Sequence, residues 1–274
     1  MRTLVIHIGA LGDFLLSCPV LEALRQDGPV ELLGARSRLD VAVEGGLADR
    51  AHDADGLDFY TLFSTPSPRL AGFLGGFDRC VAWMRPDAIL SGNLFSCGIG
   101  DVRAFPGLPP AAWGRHASEY YAGCLDIEDP GPPRLRFETA GTAGLDVVIH
   151  PGSGGARKNW ALKNFETVAG ELTRHGRRVW WCKGPAEENL APPDPVLPAM
   201  TPSALARSLA SANLYIGNDS GVTHLAAAAG CRVVAVFGPT DPAVWAPRGA
   251  NVRVARGKDG SFPELREMLA QIPS

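Results

Sequence analysis

Hydrophobic positions along the chain alternate between two spacings. Short apolar runs predict strands at Arg2–Ile8, Val30–Leu33, Phe59–Phe63, Arg79–Met84 and Ala88–Leu90 in the first half. They recur at Leu145–His150, Arg178–Cys182, Leu214–Gly217, Arg232–Phe237 and Asn251–Ala255 in the second. Between them, apolar residues three and four apart predict helices over Leu15–Gln26, Arg38–Ala48, His116–Leu125, Leu162–His175 and Ser203–Ala212. A further helix follows Asp219, and a last one spans Pro263–Ile272. Pro68–Gly76, with three glycines, fits neither period.

Strand and helix alternating twice over imply two parallel-sheet α/β lobes. The run Val233–Phe237 is apolar throughout, as when both faces of a sheet are covered. Asp129-Pro130-Gly131-Pro132-Pro133 lies near mid-chain and can continue neither helix nor central strand, so it reads as a linker or the lead-in to one. The expected domains are residues 1–138 and 139–274, with the last helix a candidate to pack back on the first lobe. Ligands of such sheets bind beyond the carboxyl ends of the strands, so the expected site is a cleft between the lobes.

Composition narrows the function classes. With 274 residues, 46% apolar content and a net charge of −3, the chain can bury real cores and carries no global field to recruit nucleic acid. The six cysteines form no CxxC pair, so no zinc site is expected, and several sit in apolar runs as buried thiols would. His7 and Gly12-Asp13 interrupt the first apolar run, which reads as a core strand rather than a leader. No run approaches the roughly 20 apolar residues of a membrane span, and the expectation is a soluble, cytoplasmic protein.

The chemistry gathers in loops that follow strands. Asn218 and Asp219 close one strand, and Ser220, Gly221 and Thr223 open the alanine-rich helix with His224 in its first turn. A helix N-terminus offers N–H groups and partial positive charge to an anion, and Gly221 permits close approach. A plain helix cap by Asp219 or Ser220 is the simpler alternative, but it does not account for His224. The pattern Gly-x-Ser-x-Gly is absent, which disfavours a hydrolase reading of Asp219-Ser220-Gly221. The glycine-rich loop His150–Trp160 contains Ser153 and the cations Arg157 and Lys158, which would neutralise phosphate unless merely solvated. Glu187 follows the next strand, where a carboxylate either holds ribose hydroxyls or complements a helix dipole. Gly9-Ala10-Leu11-Gly12-Asp13 follows the first strand and falls short of a dinucleotide fingerprint. On spacing alone Asp13 is a helix cap or a general base facing the cleft.

Taken in order, these loops resemble glycosyltransferase family 9, the ADP-heptose:lipopolysaccharide heptosyltransferases and their relatives. The resemblance rests on Gly9–Asp13 with Pro19–Arg25, His150–Trp160, Gly184–Glu187, Asp219–Ala228, and Phe237–Pro242 followed by Trp245 and Pro247. It implies a GT-B fold and an inverting, metal-independent transfer needing no cofactor. It implies a nucleotide-sugar donor, such as ADP-heptose, on the second lobe. The acceptor, a glycan or lipid-linked glycan, would lie on the first lobe, which admits peripheral contact with the cytoplasmic membrane. By the same resemblance Asp13 is the base that deprotonates the acceptor and Lys158 balances charge on the leaving diphosphate. Ser153, Asp219, Ser220, Gly221 and His224 hold the donor's diphosphate and sugar, and Glu187 holds its ribose. The segment between Gly72 and Pro110 is short for the family, so the acceptor lobe departs most from the pattern. Two alternatives share the donor site: a GT-B nucleotide-sugar epimerase, and a non-catalytic nucleotide- or glycan-binding member.

Overall fold

Alternation of parallel strands and helices is realised in both halves of the computed structural model, which describes residues 1–137, 144–184, 187 and 191–273. The chain divides into two units, Met1–Trp113 with Ala117–Pro130, and Gly114–His116 with Gly131–Ser274. The expected boundary at 138/139 lies outside the described residues.

In the first unit the elements run β1 (Thr3–His7), α1 (Leu11–Ser17), α2 (Pro19–Gln26), β2 (Val30–Gly34), α3 (Arg36–Glu44) and β3 (Arg50–Asp53). After two 3-10 turns come α4 (Pro68–Leu74), β4 (Arg79–Trp83), α5 (Ala88–Ser96), β5 (Asp101–Phe105) and α6 (Ala117–Gly123). The strands form a sheet of order β3-β2-β1-β4-β5, and every pairing is parallel. β1 and β2 are buried along their whole length, the signature of central strands covered on both faces.

Four local expectations change here, each for a physical reason. Phe59–Phe63 forms a 3-10 turn, not a strand, because Phe59 and Leu62 reach the core at a spacing of three. Ala88–Leu90 opens α5, because the Asp87 carboxylate accepts the Ile89 and Leu90 N–H groups at 2.7 and 3.2 Å. Pro68–Leu74 resolves as a helix, capped by Ser67 with Pro68 in its first turn. The edge strands β3 and β5 carry no apolar run. Ionic contacts brace them instead, His52 to Glu31 at 2.6 Å and Arg79 to Asp101 at 2.9 Å.

The second unit runs β6 (Val147–His150), α7 (Leu162–Arg174), β7 (Val179–Trp181), α8 (Pro202–Ala210), β8 (Leu214–Asn218) and α9 (Gly221–Ala228). It closes with β9 (Val233–Phe237), α10 (Pro242–Trp245), β10 (Val252–Arg256) and α11 (Leu265–Leu269). The sheet order is β10-β9-β8-β6-β7, again all parallel. On α7 the stripe Phe165, Val168, Ala169 and Leu172 is buried, as its helical spacing requires. Removing the Phe165 ring would cost about 3–5 kcal/mol. Met268 is fully buried in this unit's core, with Leu265, Leu269 and Ile272 packed around it.

All six cysteines are free, and burial pushes the Cys80, Cys182 and Cys231 thiols up to about 12. Among the described residues no helix is long and apolar enough to cross a membrane.

Candidate functional site

Each sheet reverses its direction of growth beside its first strand, between β1 and β4 in one unit and between β6 and β8 in the other. A parallel sheet opens a crevice at such a point, beyond the carboxyl ends of the strands. Both sets of expected site residues stand there.

In the second unit the site is built by one asparagine. Asn218 ends β8 fully buried; its Oδ1 accepts the Trp160 N–H at 2.9 Å and its Nδ2 donates to the Pro151 carbonyl at 2.7 Å. It thereby pins both ends of the glycine-rich loop. Inside the loop the Ser153 hydroxyl donates toward Asn159 Oδ1 at 2.6 Å and the Gly155 carbonyl at 2.8 Å, and accepts the Gly155 N–H at 3.2 Å. Ser153 is therefore engaged in shaping the loop. The loop delivers Lys158 to Asp219, Nζ to Oδ2 at 3.1 Å, and the Thr240 hydroxyl donates to the same oxygen at 2.9 Å. Asp219 is 8% exposed at its side chain and Lys158 33%. An ammonium has three N–H donors, and one goes to Asp219.

At the mouth of α9 the Ser220 hydroxyl accepts the Thr223 N–H at 3.3 Å, so the cap anticipated from sequence exists and Ser220 supplies it. Gly221 is the first residue of the helix. Behind the cap, Thr223 Oγ1 lies 3.0 Å from Ser220 Oγ and 3.1 Å from the Tyr215 hydroxyl, and donates to the Asn218 carbonyl. Burial pushes the Tyr215 phenol well above its usual range, which keeps it a donor. His224 is buried in the next positions of the helix. Burial lowers its pKa to about 4, the charges of His116 and Lys158 add to the shift, and Asp219 opposes it. His224 is neutral at pH 7.

Glu187 is 7% exposed and turned inward. Its Oε2 lies 2.8 Å from His150 Nε2 and accepts the Gly184 N–H. Burial raises the carboxyl's pKa, but the bond from His150, that ring's charge when protonated, the Gly184 N–H and the Lys183 charge outweigh it, leaving the group below the ordinary carboxylate value. A side chain on Gly152 would meet Glu187 Cδ at 2.0 Å, so glycine is the residue that fits beneath this carboxylate. Residues 185–186 and 188–190 of the same loop lie outside the described residues.

In the first unit Asp13 occupies the first turn of α1, but it is not the cap: Ala10 holds the N-cap position and no side chain bonds there. A Cβ on Gly9 would lie 3.6 Å from Asp13 Cβ and 2.9 Å from His7 Cε1, so the acid and the imidazole flank this glycine. His7 is 3% exposed, and among the described residues neither ring nitrogen makes a hydrogen bond to another residue. Burial, with the Arg38 charge, lowers its pKa to about 4. The Arg38 guanidinium donates to the Gly9 carbonyl. Asp13's charge also helps raise the pKa of the buried Tyr121 phenol, after burial itself.

The structure thus brings Ser153, Lys158, Glu187, Asp219, Ser220, Gly221 and His224 to the strand ends of one unit, and Asp13 to those of the other. Sequence reasoning assigned no role to His7, His150, Gly152, Asn218 or Thr240. The available signal was position: His7, His150 and Asn218 each end a strand with a polar residue.

Comparison with known proteins agrees with this geometry. Residues 136–270 match the model of glycosyltransferase family 9 (heptosyltransferase). Lipopolysaccharide heptosyltransferase 1 of Pseudomonas aeruginosa is 29% identical over 176 residues, 56% of this chain and 48% of that protein. The match thus spans about half the length of that relative. The solved E. coli ADP-heptose lps heptosyltransferase II superposes with a TM-score of 0.74 at 18% identity, over 99% of this chain and 98% of that one. An E. coli heptosyltransferase solved with ADP gives 0.69 at 19% identity, over 98% and 97%. At these identities the superpositions establish the fold, that of GT-B heptosyltransferases. The family model on residues 136–270, the heptosyltransferase relatives and the fold agree in making the chain similar to glycosyltransferase family 9.

Proposed function

We propose that this protein transfers a sugar, heptose in the first instance, from an ADP-linked donor to a hydroxyl of a lipopolysaccharide-type glycan, with inversion and without a metal ion. The observation that carries the reading is the Lys158–Asp219–Thr240 cluster beside the capped N-terminus of α9. It sets a protein cation and a helix's positive end at one strand terminus, the arrangement a diphosphate requires. ADP is the nucleotide held by a solved relative of the same fold.

The Asp13 carboxylate takes the acceptor's hydroxyl proton as that oxygen bonds to the anomeric carbon. The bond from that carbon to the diphosphate oxygen breaks on the opposite face, and the electron pair leaves with ADP. Lys158 balances the charge that develops there, the role a divalent cation plays elsewhere. Neutral His224 offers the sugar or phosphate a hydrogen bond without adding charge. Glu187 accepts from ribose hydroxyls through the carboxylate edge that His150 and Gly184 leave. Action on the cytoplasmic side, with peripheral contact to a lipid-linked acceptor, belongs to the same reading.

Calorimetric titration with ADP, UDP, GDP and CMP, with and without magnesium, tests it. Selective ADP binding that is indifferent to magnesium is expected, followed by turnover of ADP-heptose. Selective binding of another nucleotide would displace the proposed donor, and binding of none would overturn the nucleotide site.

A further inference from the structure

The turn ahead of Asp13 is built from Gly9 and Ala10, and Ala10, the N-cap of α1, supplies no side-chain bond. The Ala10 carbonyl accepts the first helical bond, from the Phe14 N–H at 3.0 Å. The Gly9 carbonyl therefore stands one residue outside the helical ladder, on the residue type whose backbone turns most freely. Its partner comes from another element: Arg38 Nη1 donates to it. Arg38 lies in the first turn of α3, which follows β2. β2 runs beside β1 with Gly34 opposite His7. A Cβ on Gly34 would fall 2.1 Å from the His7 carbonyl oxygen and 3.2 Å from Leu39 Cδ1, so this glycine lets α3 begin close against the end of β1. Arg36, two residues earlier, pairs with Asp40 at 3.5 Å and is 64% exposed at its side chain, whereas Arg38 is half-buried. Burial does most to lower the His7 pKa, to about 4, and the Arg38 charge adds to it, as a guanidinium seated beside this end of β1 must.

Resting on the reading of Asp13 as the base, we propose that Arg38 is a positioning residue for it: by holding the Gly9 carbonyl it fixes the turn from which α1, and with it the Asp13 carboxylate, sets out. A guanidinium suits the task, since it has only donors to offer a carbonyl and presents them in a rigid fork. The contact ties the start of α1 to the start of α3, so the base inherits the rigidity of two neighbouring strands rather than the freedom of a glycine turn. Gly9 sits against both partners of that turn, its added Cβ falling 2.9 Å from His7 Cε1 and 3.6 Å from Asp13 Cβ, so a shift of the Gly9 peptide is passed to the acid. Misplacing a reacting group by ~1 Å can cost ~10²-fold in rate, so the effect belongs in kcat rather than in binding.

Steady-state sugar transfer by Arg38→Ala, Arg38→Lys and Asp13→Asn, alone and combined, tests the role. Arg38→Ala is expected to lower kcat by ~10-fold, with acceptor KM and ADP affinity within ~2-fold of wild type. Arg38→Lys, which still donates, is expected to recover kcat to within ~3-fold of wild type. On top of Asp13→Asn, Arg38→Ala is expected to cost less than ~2-fold, because no base is left to position. A rise in acceptor KM at unchanged kcat would make Arg38 a contact of the acceptor instead. A full tenfold loss added to that of Asp13→Asn would mean that it acts apart from the base. Either result overturns the assignment, as does wild-type kcat in Arg38→Ala. If Arg38→Ala does not fold, Arg38→Gln takes its place in the same cycle. A readout that needs no substrate is the NMR titration of the His7 imidazole. Its midpoint should rise from about 4 once the guanidinium is gone, and an unchanged midpoint would show that Arg38 is not seated at the turn. A wild-type protein that transfers no sugar would refute the proposed function and its base, whereas failure confined to the variants refutes only the role of Arg38.

Discussion

His7 and His150 are the same residue of two related sheets. Each ends the first strand of its unit, each borders the crevice where strand order reverses, and each is almost fully buried. Their surroundings are opposite. Both nitrogens of His150 face other side chains, Glu187 at 2.8 Å and Ser220 at 3.5 Å, whereas neither nitrogen of His7 bonds to another of the described residues. A buried polar group left unpaired costs about 1–3 kcal/mol, so the two ends have been built to different specifications. At the strand ends of the second unit, Asn218, Ser153, Glu187 and Ser220 all hold hydrogen-bond partners within the protein. In the first unit the indole N–H of Trp83, the register partner of His7 on β4, likewise has no partner among the described residues. Under the proposed function, the locked strand ends would hold the donor and the open ones would keep hydrogen-bonding groups for an acceptor.

The sharpest way to break this comparison is to remove the acid from the open end. Asp13→Asn should reduce sugar transfer by about 10²–10⁴, the usual worth of a general base, while ADP affinity in calorimetry stays within about twofold. Wild-type turnover in that variant would remove Asp13 from the mechanism.

Next in size is the acid response of the unpaired ring. His7 has a folded pKa of about 4 against an ordinary 6.5, so the unfolded chain binds a proton that the folded one refuses. Stability must then fall as pH is lowered from about 6.5 to about 4, by at most about 3 kcal/mol from this ring. Urea melts at pH 7 and pH 4.5 should show His7→Leu losing less stability than wild type across that window. His224, depressed to the same range, leaves a residual slope in both proteins. Parallel slopes would mean that His7 is not the group being protonated.

The smallest contrast sets the two glycines side by side. Gly152→Ala forces the Glu187 carboxylate from its place, since the new methyl would sit 2.0 Å from Cδ. About tenfold weaker ADP binding is expected, the loss of a charge-assisted hydrogen bond. Gly9→Ala meets the His7 ring at 2.9 Å and Asp13 Cβ at an ordinary 3.6 Å, and should leave ADP binding intact. If both variants bind ADP alike, the locked carboxylate is not part of the nucleotide site.

The sequence alone determined the two-unit α/β plan, because central parallel strands such as Val30–Gly34 and Val233–Phe237 are covered on both faces and so read as unbroken apolar runs. It also singled out Asp13, Lys158 and Asp219 as candidates, because they stand in or beside glycine-containing turns after such runs. The edge strands of the first unit escaped it: Arg50–Asp53 and Asp101–Phe105 carry no apolar run and are held by polar side-chain contacts and backbone ladders. Tertiary structure alone decided which of these side chains already hold partners within the protein. Ser153 and Ser220 were legible as phosphate contacts, yet their hydroxyls close a loop and a helix. His150 carried no signal beyond its place at a strand end, because its two partners lie 37 and 70 residues away. A hydrogen bond of that span has no local period or propensity to record it, and only the assembled sheet brings the three side chains together.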